Sequence, residues 1–304
     1  MSALFTALFA PGFFVSGPVH AALLAGAVTA LVTGAVGTFT VIRRQAFAGH
    51  ATGEVASTGG SAALLGGLNP LWGYLGIALI VAGAIEAVGA QRPRVRDLAT
   101  GLVLGAGLGV AALFLYIDTT QSSTTGAAVT ILFGSLFAVS ASVLPAIVAL
   151  SVVALGIVVA GYRMLLLSSL SPDLAAARGV PIRLISLAYL VSVAVAVSLA
   201  AETVGAILAT ALLIGPPATA LRLTSRPELA LGLAGLLGVF ATWLGTVLAY
   251  DSYYWPPQGR SWPPSFFIVA LVFAMYLLSG AIQMARQRSR GRRPDPPAVQ
   301  EAAA

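Results

Sequence analysis

Nine apolar runs, each about the length of one bilayer crossing, follow one another along this chain with only short polar breaks between them. They fall at about 17–42, 50–68, 70–90, 97–117, 140–162, 182–200, 203–221, 227–250 and 264–284. A helical span needs roughly 20 apolar residues, so nine spans take up about 180 residues and leave short connections. Charged residues make up only 9% of the 304 residues, against roughly a quarter in a soluble domain. The expectation is an all-α, polytopic helical membrane protein with about 8–9 transmembrane helices and no sizeable soluble domain. The run at 50–68 is the most polar, with His50, Thr52, Glu54, Ser57, Thr58 and Ser61 beside Gly53, Gly59 and Gly60. It reads as a polar interior helix or a re-entrant segment. Residues 1–16 are too short and uncharged for a signal peptide and read as an interfacial lead-in. The domain division is 1–285 in the membrane, then a basic, Pro/Ala-rich tail at 286–304 that reads as disordered.

The missing residue types narrow the chemistry. The basic residues are all arginine, so a P-loop, a Schiff-base lysine and a Ser-x-x-Lys nucleophile are impossible. Any ATP hydrolysis belongs to another chain. With no cysteine there are no disulfides, iron–sulfur clusters or zinc-thiolate sites. The net charge of +6 comes without an arginine stripe interleaved with aromatics, so no nucleic-acid partner is expected. Arginine instead reports topology, because it favours cytoplasmic loops. With the N-terminus outside, nine crossings place 15 of the 16 arginines on the cytoplasmic side and only Arg260 outside. The aromatic-rich stretch 250–264 then forms an outer interfacial belt.

Ionisable groups within spans are costly and tend to mark pathways. His50 and Glu54 are four residues apart, which puts imidazole and carboxylate on one helix face, about 5–6 Å apart at Cβ. Both suit a divalent transition metal, and two ligands per chain make a weak site of the kind a permeation path needs. The same spacing fits a simple hydrogen-bonded pair at a helix start, with Glu54 favoured there by the helix dipole. His20 reads as an interface residue, and Glu86 as the partner of an arginine, Arg92 or Arg94. Glu202 lies at a bend, either lining an outer cavity or facing water. In 203–221, Pro216 and Pro217 are expected to break the helix, which requires protein or a cavity around the freed carbonyls and makes this span internal, with Thr219 following. Between two spans, Ser171 caps a short helix that starts at Pro172-Asp173, propagates through Ala175 to Ala177, and stops at Arg178-Gly179 and Pro181. Its position suits docking of a cytoplasmic partner.

Taken in order, these stretches resemble the membrane permeases of the metal-ion ABC importer family, the bacterial zinc, manganese and iron uptake systems. The likeness runs from about residue 20 to 285. Arg43-Arg44-Gln-Ala-Phe-Ala-Gly-His50-Ala-Thr-Gly-Glu54 is similar to the family's Arg-Arg-x-Ala-Leu-x-Gly-Asp-Ala-Leu-Ser-His segment. Leu132-Phe133-Gly134-Ser135-Leu136 resembles its Leu-Phe-Gly stretch. Pro172 through Pro181 resembles the coupling helix that docks into the ATPase, and Ala211 through Ala220, with Arg222, resembles its Leu-Leu-x-x-Pro-Ala-Ala-Thr-Ala-Arg motif. The resemblance implies a homodimeric, or occasionally heterodimeric, permease of the bacterial plasma membrane, with cytoplasmic ATP-binding subunits and an extracytoplasmic metal-binding protein. It implies no permanently bound cofactor and a divalent metal as transported substrate. It places metal contact on His50 and Glu54, with the family's Asp and His exchanged and the carboxylate one methylene longer. Pathway residues would be Glu202, Pro216, Pro217 and Thr219. ATPase coupling would fall to Pro172, Asp173, Ala177, Arg178 and Gly179. Three alternatives stay open: a proton-coupled secondary transporter using Glu54, Glu202 and His50, an ABC permease serving a non-metal cargo, and an intramembrane hydrolase built on His50 and Glu54.

Overall fold

The computed structural model describes residues 12–89, 93–121, 126–134, 136–256, 259 and 261–290. The first eleven positions, Arg92, Ser135, Arg260 and the tail beyond Arg290 lie outside the described residues, and with them parts of the lead-in, the Leu-Phe-Gly motif and the expected disordered tail. Twelve helices are described: α1 (Gly17–Ile42), α2 (Ala46–Leu65), α3 (Pro70–Gly89), α4 (Pro93–Gln121), α5 (Ala127–Phe133), α6 (Leu144–Ala160), α7 (Tyr162–Leu170), α8 (Pro172–Ala177), α9 (Ile182–Val204), α10 (Ala206–Leu223), α11 (Pro227–Asp251) and α12 (Pro264–Arg290). No strand occurs among the described residues. The last helix runs on to Arg290, five residues into the stretch read as tail.

Among the described residues, seven helices are long and apolar enough to cross a bilayer, and α6 with α7 forms an eighth candidate bent by 63° at Gly161. α2 is a continuous helix of 20 residues, about 30 Å long at 1.5 Å per residue, but is not among those apolar spans. Its polarity is hidden inside protein: Thr52, Glu54, Ser57 and Ser61 are all buried. The hydroxyls of Thr52 and Ser61 donate back to the Ala48 and Ser57 carbonyls at 2.8 Å, so they need no water. Burial elsewhere is uneven. Of the apolar window of α9, 72% is buried within the chain, against 17% for α4, which makes α9 the central helix and α4 a peripheral one.

Close helix approach rests on glycine, as expected where lipid removes the hydrophobic drive between helices. A Cβ at Gly59 of α2 would lie 2.0 Å from the Gly73 carbonyl oxygen of α3, and a Cβ at Gly73 would lie 2.0 Å from that of Gly59. A Cβ at Gly37 of α1 would stand 1.8 Å from the Leu213 carbonyl oxygen of α10 and 2.8 Å from Pro217 Cγ. That contact corrects the expectation for the two prolines. α10 is unbroken through Pro216 and Pro217, both buried. Proline at 217 frees the carbonyl four residues back, Leu213, and the bare Cα of Gly37 lies against that oxygen, close enough for a weak Cα–H···O contact. Thr219 Oγ1 donates to the Gly215 carbonyl at 2.8 Å within the same turn. The span is internal because α1 supplies what the helix lacks.

A single residue, Gly205 at φ +101°, joins α9 to α10. The end of the short α5, closed by Gly134 at φ +71°, presses onto it: a Cβ at Gly134 would lie 2.4 Å from Gly205 N. At the opposite end of the bundle, α1 closes in a Schellman turn in which Arg44 N–H donates to Val41 O at 3.1 Å and Gln45 N–H to Thr40 O at 2.9 Å. The left-handed position of that turn is held by Arg44 at φ 56°, the one non-glycine with positive φ among the described residues, at a cost of about 1–2 kcal/mol. The same turn closes α8, with glycine in that place, Gly179 at φ 74°.

Candidate functional site

α2 leaves the Arg43–Arg44 elbow and carries His50 and Glu54 up between α9 and α10. Gly49 and Gly53 allow the approach: a Cβ at Gly49 would meet Leu213 Cδ2 at 2.9 Å, and one at Gly53 would sit 3.6 Å from Val197 Cβ. The helical spacing brings His50 Nδ1 to 4.0 Å from Glu54 Oε1. The two side chains differ in access. That of His50 is 38% exposed and that of Glu54 only 9%, so the imidazole fronts an open space with the carboxylate behind it. Which ring nitrogen could share an ion with the carboxylate depends on what holds the other one.

Sequence reasoning missed Thr210. Its Oγ1 lies 2.8 Å from His50 Nδ1, across the seam between α2 and α10. Holding Nδ1 fixes the ring and leaves Nε2 as the free donor, the arrangement by which an outer hydroxyl orients an imidazole for a metal. The signal was present as the lone hydroxyl within the apolar run Ala206–Ile214.

The other predicted residues are not gathered here. Glu202 sits in the last turn of α9 rather than in a bend, half-buried, where the Asn69 side chain hydrogen-bonds its carboxylate. Asn69 in turn accepts the Leu71 N–H at 2.9 Å and starts α3. Glu86 accepts from Ser186 Oγ of α9 at 2.6 Å; Arg92 lies outside the described residues, as does the side chain of Arg94. His20 is exposed in the first turn of α1. Pro217 packs against Gly37 of α1, Thr219 shares a face of α10 with Gly215, whose added Cβ would meet Val272 of α12, and Pro216 is buried in the same helix. Pro172, Asp173, Ala177, Arg178 and Gly179 form the short capped α8, in which Ser171 Oγ accepts the Leu174 N–H at 3.4 Å and Val180 N–H reaches Ala175 O at 3.0 Å. Among the described residues no group of three or more His, Cys, Asp or Glu side chains could hold a metal within one chain. Within one chain the His50–Glu54 pair offers one imidazole and one carboxylate.

With this geometry in view, the chain can be set beside known proteins. A profile described as "ABC 3 transport family" matches residues 18–283. The manganese transport system membrane protein MntC of Halalkalibacterium halodurans is 32% identical over 225 residues, 74% of this chain and 76% of that protein. The high-affinity zinc uptake system membrane protein ZnuB of Haemophilus influenzae is 28% identical over 235 residues, 76% and 88% of the two chains. Among solved structures, PsaBC from Streptococcus pneumoniae in complex with Fab superposes with a TM-score of 0.79 over 96% of this chain and all of the other, at 24% identity.

Proposed function

We propose, starting from the fact that the chain belongs to the ABC 3 transport family, that it is the membrane permease of an ATP-driven importer of a divalent transition metal. It is a multi-pass membrane protein and not an enzyme. Without lysine it can form no P-loop, and ATP hydrolysis lies on a separate subunit. Family membership sets aside the intramembrane hydrolase and the proton-driven transporter.

The observation that carries the reading is the His50–Glu54 pair on one face of α2, steadied by Thr210. Relatives named for manganese and for zinc transport support a first-row metal as substrate; manganese, zinc and iron all accept imidazole with carboxylate. Since one chain offers two ligands, two copies meeting at these residues would supply four, a shallow site with up to two negative charges. An extracytoplasmic binding protein delivers the metal near residues 118–126 and 250–264. ATPase closure then acts through α8, on Pro172, Asp173, Ala177, Arg178 and Gly179. If α2 also crosses, the seven apolar helices, the bent α6–α7 pair and α2 make nine crossings, with the N-terminus outside, the arginines at the cytoplasmic face and residues to about 285 forming the permease body.

The test is elemental analysis of metal-starved cells carrying the wild-type chain or the His50→Ala, Glu54→Ala double variant. Selective loss of manganese, zinc or iron at unchanged membrane abundance is the expected result. Undiminished content of all three in the variant would refute the pair as the metal site and favour a permease serving another cargo.

A further inference from the structure

The elbow that launches α2 is fastened to the helix that leads into α8, and the fastening is a single arginine. Arg43 Nε donates to Ser169 Oγ at 2.9 Å and Nη2 donates to Ser168 Oγ at 2.7 Å. Both serines are at the end of α7, with Pro172 of α8 three residues after Ser169. Their hydroxyls are fixed in turn, each donating to the Leu165 carbonyl. The guanidinium plane also lies over the Tyr189 ring of α9, 4.6 Å from its centroid, and Tyr189 Oη donates to Thr40 Oγ1 of α1 at 2.9 Å. This is the use for which a planar fork differs from an ammonium group. Burial pulls the Arg43 guanidinium below its ordinary pKa, against the raising influence of Tyr189 and Glu86.

Two features make this contact more than local packing. The seam it bridges is not tightly filled: a cavity of about 240 Å³ lies there, lined by Arg43, Gln45, Ser168, Ser169 and Pro172 among others. Apolar packing of α1 on α7 lies a turn back, where Phe39 meets the Tyr162 ring edge-on at 5.8 Å between centroids; at the elbow itself the two sides meet through the arginine's hydrogen bonds and its contact with the Tyr189 ring. On the α2 side the left-handed turn at Arg44 is held, against its conformational cost, by the Arg44 and Gln45 N–H bonds to the Val41 and Thr40 carbonyls, one residue beyond the fastening. His50 follows Arg43 by seven residues, under two turns into α2.

We infer that Arg43 is a positioning residue for transport, a tie through which α7–α8 and the ligand-bearing start of α2 move as one body. The inference rests on α8 receiving the ATPase stroke, as proposed above, and the ring nitrogen of His50 is what the stroke displaces. Without the tie, α8 would move while His50 stayed behind.

The experiment uses the full complex of permease, ATPase and binding protein in proteoliposomes, comparing wild type, Arg43→Met, Arg43→Lys and the Ser168→Ala, Ser169→Ala pair. The expected result is at least tenfold slower manganese or zinc uptake in Arg43→Met. Stimulation of the ATPase by metal-loaded binding protein should be lost while basal hydrolysis, co-purification and melting temperature hold. Lysine should not restore it. Combining Arg43→Met with the serine pair should be no worse than Arg43→Met alone, because all three residues make one connection. A cargo-independent measurement runs beside it. The chain has no cysteine, so spin labels on Phe47→Cys and Leu170→Cys, both exposed positions, report the distance across the tie with and without trapped nucleotide. That distance should be constant in wild type and change in Arg43→Met. Normal coupling in both Arg43→Met and the serine pair, multiplying effects in the combination, or a label distance insensitive to Arg43 would overturn the tie. Should Arg43→Met fail to fold, the serine pair, which removes only two hydroxyls, carries the same comparison. Failure of the wild-type complex to move any of the metals would count against the transport reading instead, and the label distance would still decide the tie.

Discussion

The crossing of α2 and α3 makes a quantitative demand on one glycine. A methyl added at Gly73 would start 2.0 Å from the Gly59 carbonyl oxygen, where ordinary contact begins at about 3.4 Å, so the helices must part by about 1.4 Å. A carbonyl in a helix cannot swing aside as a flexible side chain would. The cost sits at the upper end of the overpacking range, about 3 kcal/mol, and a gap wider than about 1 Å forfeits more than about half of the dispersion energy along the opened seam. Alanine's better helix propensity returns about 1 kcal/mol. Two controls on the same helix remove that last contribution from the comparison: a methyl added at Gly76 or Gly83 would meet nothing within 4 Å, so Gly76→Ala and Gly83→Ala carry the propensity gain without the clash. Gly73→Ala should fall about 3 kcal/mol below them, or about 5 °C in thermal midpoint for a chain of 304 residues. The assay is thermal unfolding of the purified permease in detergent, followed by size-exclusion recovery. A Gly73→Ala variant that melts together with both controls would refute the claim that bare backbone contact sets this crossing.

Two further substitutions probe the site and the frame. Thr210→Val removes the hydroxyl that holds His50 Nδ1; at about 0.5–1.5 kcal/mol for such a bond, the uptake KM should rise between about twofold and tenfold, while Thr210→Ser should match wild type, and an unchanged KM in the valine variant would exclude the orienting role. Gly205→Ala, at φ +101° with Phe133 C only 2.3 Å from the new methyl, should abolish accumulation in the membrane. Gly179→Ala, at φ 74° in open space, should cost only about 1–2 kcal/mol and leave abundance near normal; immunoblotting of membrane fractions compares the two.

The spans were legible because their signal is local: a run of apolar residues is recognisable without knowing its neighbours. The His50–Glu54 face was legible for the same reason, since helical spacing alone brings the pair together. What stayed hidden depends on a second helix. Pro216 and Pro217 look like a break until Gly37 is seen against the Leu213 carbonyl, and that partner is far away in sequence. Thr210 carries no charge and joins the site only through a contact 160 residues apart. Glu202 looked like a loop residue because a one-residue connection leaves almost no polar stretch to mark the turn. The Ser186 hydroxyl that donates to Glu86 stands 100 residues away in sequence and gives no local sign. Arg43 was noticed as part of a motif and a topology marker, and its fork onto two serines follows from the bend at Gly161, which no local pattern announces.

The one-residue joint at Gly205 also bears on how the protein is made. Two helices of 23 and 18 residues with nothing between them but a glycine cannot enter a bilayer one after the other, because the first would have no slack with which to wait for the second. They form a single insertion unit, a helical hairpin that leaves the ribosome and partitions into lipid together. In the orientation proposed above, the Glu202 carboxylate would ride across near its tip, screened by the apolar bulk of both arms.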